Sequence, residues 1–187
     1  VVATKVGNVA REGKFTVDYS PGHIRQACEA SLRRLKRGHI AYYQLHTARM
    51  EHLVNGECLM AMRQLQQEGK VRHWGLSLNT FAPLEEAHWM MRHGHGEGFQ
   101  LVLNIINQRA LPLLAEAQRK GYGLIARMPL QFGLLTGKFD AGTRFADNDH
   151  RKNRLTVNVI NTAKEALQPI WELCSRYVCT PVQLALS

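Results

Sequence analysis

Residues 20–46 read SPGHIRQACEASLRRLKRGHIAYYQLH, and this stretch contains the two patterns that decide the predicted fold. Apolar residues recur at helical spacing after Ser20, a candidate N-cap, and Pro21, which suits the first helical position. Gly38 ends the helical pattern. The run Ile40–His46 is rich in apolar and aromatic residues, as in a strand covered on both faces. The stretch therefore predicts a helix followed by a buried strand.

The same alternation extends in both directions along the chain. Five short runs predict strands, at residues 1–6, 40–46, 72–77, 99–105 and 123–128. Helical patterns follow them, the later ones at residues 53–68, 83–91, 111–119 and 160–177, and a long polar stretch covers residues 139–154. Strands that alternate with helices predict an α/β fold with a parallel sheet.

Two parallel architectures fit this alternation, a barrel and a doubly wound open sheet. No Gly-x-Gly-x-x-Gly follows any of the predicted strands, so the usual dinucleotide-binding turn of the open sheet is absent. We therefore predict a (β/α)8 TIM barrel. A complete barrel needs roughly 250 residues, so 187 residues suit an incomplete one of about five βα units. One domain is expected over residues 1–187.

Composition excludes several other classes of protein. The formal net charge is +9, and the densest basic run, at residues 33–37, ends a helical pattern where cations complement the helix dipole. We interpret it as a solvated helix face rather than a nucleic-acid site. The dispersed cysteines form no zinc or disulfide pattern, so no metal site is expected. No apolar run reaches membrane-spanning length, which predicts a cytoplasmic protein with no membrane partner.

In a barrel, chemistry lies at the carboxyl ends of the strands. The polar residues at these positions are Lys5, His46, Ser77, Gln100 and Arg127. An ammonium near an apolar pocket exerts a strong field, and a neutral imidazole can orient a carbonyl oxygen. Each residue taken alone has an ordinary structural interpretation, as a surface lysine, a satisfied histidine or a strand-end cap.

Several short motifs occur together in one order. Ala3-Thr4-Lys5 and Tyr43-Gln44-Leu45-His46 end two predicted strands. Further motifs are SLRRL at 31–35, EGKVR at 68–72, GLS at 75–77, GLLTGKF at 133–139 and TPVQLAL at 180–186. In this order the chain resembles the aldo/keto reductase family over nearly its whole length. The resemblance implies units three to seven of the barrel, with the first two units and the eighth outside this chain.

The resemblance also implies a function and a set of site residues. Members reduce an aldehyde or ketone with hydride from NADPH, while a tyrosine, expected in the part outside this chain together with an aspartate, donates the proton. Lys5 and His46 would be the catalytic residues present. The cofactor-binding residues implied are Ser77 and Gln100 for the carboxamide, Arg127 with Pro129 and Leu130 at the nicotinamide ring, and Lys138 in the phosphate loop.

Two departures from the family pattern stand out. Asn79 is displaced by one residue from the usual Ser-Asn pair, and a shift of one residue reverses the face of a strand, so its role is in doubt. Ala41 replaces an expected aspartate. The alternative function is a non-catalytic protein that holds NADPH, as in regulatory channel β-subunits. Substrate identity, the preference for NADPH over NADH and oligomeric state stay open.

Overall fold

Parallel strands and helices alternate in the structure, a computed structural model that describes residues 1–11 and 13–187. The strands are β1 (Ala3–Val6), β2 (Asn8–Arg11), β3 (Lys14–Val17), β4 (Ile40–His46), β5 (Val71–Ser77), β6 (Gly98–Val102) and β7 (Gly123–Arg127). The helices are α1 (Pro21–Leu35), α2 (Met50–Asn55), α3 (Glu57–Gln67), α4 (Leu84–His93), α5 (Leu111–Arg119), a 3-10 helix (Gln131–Thr136), α6 (Val157–Tyr177) and α7 (Pro181–Leu186).

The strand order decides between the two predicted architectures. Five strands pair in parallel in the order β1-β4-β5-β6-β7, which is also their order along the chain. A doubly wound sheet reverses its strand order at a switch point, whereas a barrel continues in one direction. The uninterrupted order confirms the α/β prediction and the barrel type of winding.

The chain divides into two compact units. The first comprises Val1–Val102 and Arg109–Arg127 and contains the main sheet, and the second comprises Leu103–Gln108 and Met128–Ser187. The expectation of one domain over the whole chain stays a prediction. Among residues 1–11 and 13–187, every helix is too short or too polar to span a lipid bilayer.

One face of the main sheet is buried beneath the helices. Tyr43 and Leu45 of β4 are fully buried, and Cys28 of α1 is close enough to affect the ionisation of the Tyr43 phenol. Phe99 of β6 stacks on Tyr122, which follows α5, with 5.1 Å between ring centroids. Because side chains alternate along a strand, the residues between these apolar ones face the other way. We call this second face, opposite the helices, the inner face.

Helix boundaries differ from the prediction at two glycines. The helix expected over residues 53–68 is two helices, α2 and α3, because Gly56 adopts φ 81 and breaks the chain direction between them. Helix α1 ends at Leu35 rather than at Gly38, because its C-cap Lys36 adopts the left-handed conformation at φ 51. The Ser20 N-cap is confirmed, since its side chain accepts a hydrogen bond from the His23 amide.

The antiparallel hairpin of β2 and β3 escaped prediction. Its strands are four residues long, and Phe15 and Val17 are 84% and 56% exposed, so no buried face imposes an alternating pattern on the sequence. Strand β6 is shorter than predicted and ends at Val102, because Asn104 turns the chain through paired backbone bonds with Asn107. The hairpin follows directly after β1, beside the carboxyl end of that strand.

The close packing around Gly75 of β5 leads to a testable prediction. A methyl group at Gly75 would lie 2.0 Å from the Gly98 carbonyl oxygen and 2.2 Å from the Tyr42 hydroxyl. We expect Gly75→Ala to lower the free energy of unfolding by about 1–3 kcal/mol or more, through overpacking. Urea unfolding measures this. The control is Gly38→Ala, where nothing lies within 4 Å and a change within about 0.5 kcal/mol is expected. Equal effects at the two positions would contradict the packing described.

Candidate active site

The carboxyl ends of neighbouring strands carry the predicted site residues side by side. In the sheet register His46 is the partner of Ser77, and Ser77 is the partner of Gln100. Partners in a parallel pair project from the same face, so these three side chains share the inner face. Lys5 is the partner of Gln44, which lies two residues before His46 and therefore on that face too. The lysine and the histidine thus project from one face at one end of the sheet.

Arg127 joins this group from the last strand. Its partner is Val102, two residues after Gln100, so the guanidinium also projects from the inner face. The Arg127 Nη2 atom donates a hydrogen bond to the Thr80 hydroxyl at 2.8 Å. This bond holds the planar group at the carboxyl end of the sheet, where the sequence places it.

Burial and neighbouring positive charges lower the pKa of basic groups at this end of the sheet. Burial lowers the pKa of the Lys5 ammonium, and Arg127 lowers it further. Burial also lowers the pKa of the His46 imidazole, with Lys5 and Arg127 as additional causes. A histidine whose pKa lies below its ordinary value of 6.5 is neutral at pH 7. The site therefore offers a neutral imidazole in a positive field, which favours electron-rich oxygen atoms.

Ser77 and Gln100 form a polar pair between β5 and β6. The Ser77 hydroxyl donates to the Gln100 side-chain oxygen at 3.5 Å, a long hydrogen bond. Ser77 is only 1% exposed. A hydroxyl and a carboxamide together present both donor and acceptor atoms, the combination that an amide ligand needs. The structure thus brings these two residues together, while their role toward a cofactor stays a prediction.

Gln44 is a site residue that the sequence reasoning did not select. It is fully buried on the inner face, in register between Lys5 and Gly75. Neither its amide nitrogen nor its amide oxygen has a hydrogen-bond partner among the residues that the structure describes. A buried amide without partners carries a large desolvation cost. Its position two residues before His46 was the available signal, since alternation puts both on one face.

The remaining predicted cofactor residues belong to the second unit. Pro129 is exposed and Leu130 half-buried, and the Leu130 carbonyl accepts bonds from the amides of Gly133 and Leu135 at 2.9 and 3.2 Å. Lys138 is exposed on the segment that follows the 3-10 helix. It lines a cavity of about 340 Å³ together with Phe139, Asp140 and residues of α6.

Asn104 supports the same segment from within the second unit. Its Nδ2 atom donates to the Met128 carbonyl at 2.9 Å and to the Gln131 side-chain oxygen at 3.0 Å. Met128, Gln131 and Phe132 all have positive φ angles, of 57°, 44° and 58°. These bonds stabilise a backbone that such residues rarely adopt. Sequence reasoning assigned Asn104 to a strand and missed this role.

Asn79 caps a turn. Its side-chain oxygen accepts hydrogen bonds from the amides of Phe81 and Ala82, at 2.9 and 3.0 Å. The turn lies between β5 and α4, and the Asn79 side-chain oxygen is its hydrogen-bond acceptor. Asn79 thus has a structural role in the turn after β5, whereas Ser77, the last residue of β5, projects from the inner face.

Comparison with known proteins identifies the family. The model of the aldo/keto reductase family matches residues 1–187. The chain belongs to the aldo/keto reductase family. YqkF of Bacillus subtilis (strain 168), an uncharacterized oxidoreductase, is 32% identical over 143 residues, which cover 74% of this chain and 44% of that protein.

Solved aldo/keto reductase structures are similar along the backbone. The glycerol dehydrogenase AKR11B4 from Gluconobacter oxydans superimposes with a TM-score of 0.78 at 26% identity, over 98% of this chain and 57% of its own. The holo form of AKR11C1 from Bacillus halodurans gives a TM-score of 0.67 at 27% identity, over 82% and 51%. The chain spans about half the length of these relatives. The sheet of five parallel strands is therefore an incomplete barrel.

The electrostatics of the site predict how His46 titrates. We expect its imidazole to protonate below the ordinary pKa of 6.5. Lys5→Met should raise that pKa, because a positive neighbour disfavours the imidazolium. Arg127→Met should raise it as well. NMR titration of the ring protons, assigned by their loss in His46→Gln, measures this. Lys36→Met, at the far end of α1, is the control, and an equal shift there would contradict a local effect.

Proposed function

We propose that this chain provides the greater part of the active site of a reductase that converts an aldehyde or ketone to an alcohol with NADPH. The observation that carries the proposal is the convergence of Lys5 and His46 on one face, beside the Ser77 and Gln100 pair. Membership of the aldo/keto reductase family supports an oxidoreductase. The preference for NADPH, the carbonyl substrate and the residue roles are parts of this proposal.

The residues present fit a nicotinamide cofactor. Ser77 and Gln100 supply the hydroxyl and amide atoms that would hold its carboxamide. Arg127 supplies a planar guanidinium that would stack on the ring, with Pro129 and Leu130 following it in sequence. Lys138 would contact the phosphates. When bound, the reduced nicotinamide supplies hydride to the carbonyl carbon.

Lys5 and His46 act on the carbonyl oxygen and its proton. The neutral His46 imidazole donates a hydrogen bond to the carbonyl oxygen, which orients it and stabilises negative charge as it develops. The Lys5 ammonium lowers the pKa of a neighbouring phenol, so that this group can give up its proton at neutral pH. The phenol itself is expected in a segment outside this chain. Burial at the strand ends strengthens both effects.

Two buried cysteines support the cellular setting that we propose. Cys28 and Cys58 are buried free thiols, and burial raises the pKa of each to about 11, so both are unreactive. Such thiols suit a reducing compartment, and we place the activity in the cytoplasm. The partner proposed is a small carbonyl compound.

Binding of NADPH is the first test. We expect the 187-residue chain to bind NADPH, and Gln100→Leu to weaken binding about threefold to tenfold, the loss of one hydrogen bond of about 1 kcal/mol. Quenching or transfer of protein fluorescence on titration with NADPH measures the affinity. The matched control is Gln26→Leu on the exposed face of α1, which should leave the affinity unchanged. Equal loss in both variants would show that Gln100 does not contact the cofactor.

Turnover is the second test, and it requires a complete barrel. We expect the protein with all eight units to oxidise NADPH in the presence of simple aldehydes. Lys5→Met should lower kcat by about 10²–10³, because the lysine acts where charge develops in the transition state. Loss of NADPH absorbance measures the rate, and Lys36→Met is the control. The chain by itself should show no reduction above background, because it lacks the proton donor and exposes sheet edges.

Two results would change the proposal. Measurable reduction by the isolated chain, free of contaminating enzyme, would show that the proton donor lies within it. NADPH binding without turnover in the complete protein would favour the alternative, a protein that holds the cofactor for a regulatory purpose.

A further inference from the structure

The peptide group that follows His46 is held at both of its polar atoms. The Tyr19 hydroxyl donates a hydrogen bond to the His46 carbonyl oxygen at 2.5 Å, across 27 residues of sequence. The amide of Thr47 donates to the Ser77 carbonyl oxygen at 2.9 Å. The peptide group between His46 and Thr47 is thus held at its oxygen by Tyr19, which lies just before α1, and at its nitrogen by Ser77 of β5.

This fixed peptide imposes an unusual conformation on the next residue. Thr47 adopts φ 66, in the left-handed region. A β-branched residue there is an outlier, because its branched side chain collides with its own backbone. Such a conformation persists only where surrounding contacts determine it. The two hydrogen bonds at the His46 and Thr47 peptide are the contacts that do so.

Tyr19 is itself held rigidly. It is 7% exposed, and its ring lies against Gly7, where a methyl group would come within 2.2 Å of the ring. The ring also meets His52 edge-on, with 4.6 Å between centroids. Burial raises the pKa of the phenol to about 12, so the hydroxyl keeps its proton and remains a donor at neutral pH. Gly7 lies two residues after Lys5, so the same ring also contacts the end of β1.

We propose that Tyr19 is a positioning residue that sets the direction of the His46 imidazole by clamping the peptide between His46 and Thr47. The clamp overcomes the conformational preference of Thr47, which would otherwise rotate this peptide and turn the histidine away from Ser77. The catalytic importance of that direction rests on the proposed function, while the clamp itself does not. The Tyr19 hydroxyl is committed to a backbone carbonyl and acts through His46.

The test is a double-mutant cycle on the 187-residue chain, read by NMR without cofactor. Tyr19→Phe removes only the hydroxyl, and we expect shifted His46 ring signals and hydrogen exchange of the Thr47 amide about tenfold faster, the loss of one hydrogen bond. Thr47→Gly removes the conformational conflict and should leave His46 in place. The double variant should return the His46 signals to their original positions, because glycine needs no clamp.

A matched control separates positioning from general stability. The Tyr122 hydroxyl also donates to backbone carbonyls, of His95 at 3.1 Å and Met90 at 3.3 Å, away from the strand ends that carry the site. Tyr122→Phe should lower stability comparably and leave the His46 signals unchanged. If Tyr19→Phe alone does not fold, recovery of folding in the double variant would report the clamp, because glycine at position 47 removes the need for it, and a double variant that also fails to fold would contradict it.

Three outcomes would overturn the proposal. Unchanged His46 signals in Tyr19→Phe would show that the bond is structural only. Persistence of the shifts in the double variant would show that Thr47 is not what the bond restrains. Equal shifts in Tyr122→Phe would show a general effect of lost stability. Failure of NADPH to bind would count against the proposed function and leave these results standing.

Discussion

The parallel register of β4 with its two neighbours is the constraint on which the rest of the site depends. The pairing of Lys5 with Gln44, and of His46 with Ser77, fixes the face of the sheet from which these side chains project. A slip of one residue in either pairing would send the lysine or the histidine into the layer beneath the helices. Tyr43 and Leu45 alternate with Gln44 and His46 along β4 and are fully buried. They oppose such a slip because it would expose their apolar side chains.

Burial then gives these polar groups their chemical character. It is the largest cause of the lowered pKa of both Lys5 and His46, and the mutual repulsion of the positive groups adds to it. In a complete barrel, further strands would cover the inner face and strengthen each charge effect. Gln44 is fully buried without a hydrogen-bond partner in the described part of the chain, so its amide bears a desolvation cost that no contact offsets there.

Positive φ angles follow three of the strand ends that carry the predicted site residues. Gly7, Thr47 and Met128 follow Lys5, His46 and Arg127 within two residues, and all three have positive φ angles. Residues outside the strands hold two of these turns, Tyr19 at the His46 carbonyl and Asn104 at the Met128 carbonyl. The geometry at these strand ends therefore depends on supporting side chains as much as on the residues of the inner face.

The sequence by itself determined the alternating strands and helices, the residues at the carboxyl ends and the family, because apolar periodicity and short motifs are local signals. It also placed Ser20 as the N-cap of α1. It did not determine the break at Gly56, the exposed hairpin, Gln44 or Tyr19. These depend on tertiary structure, since the partner of Tyr19 lies 27 residues away and its ring position is set by contact with Gly7. No local pattern encodes a contact that exists only after the strands have paired.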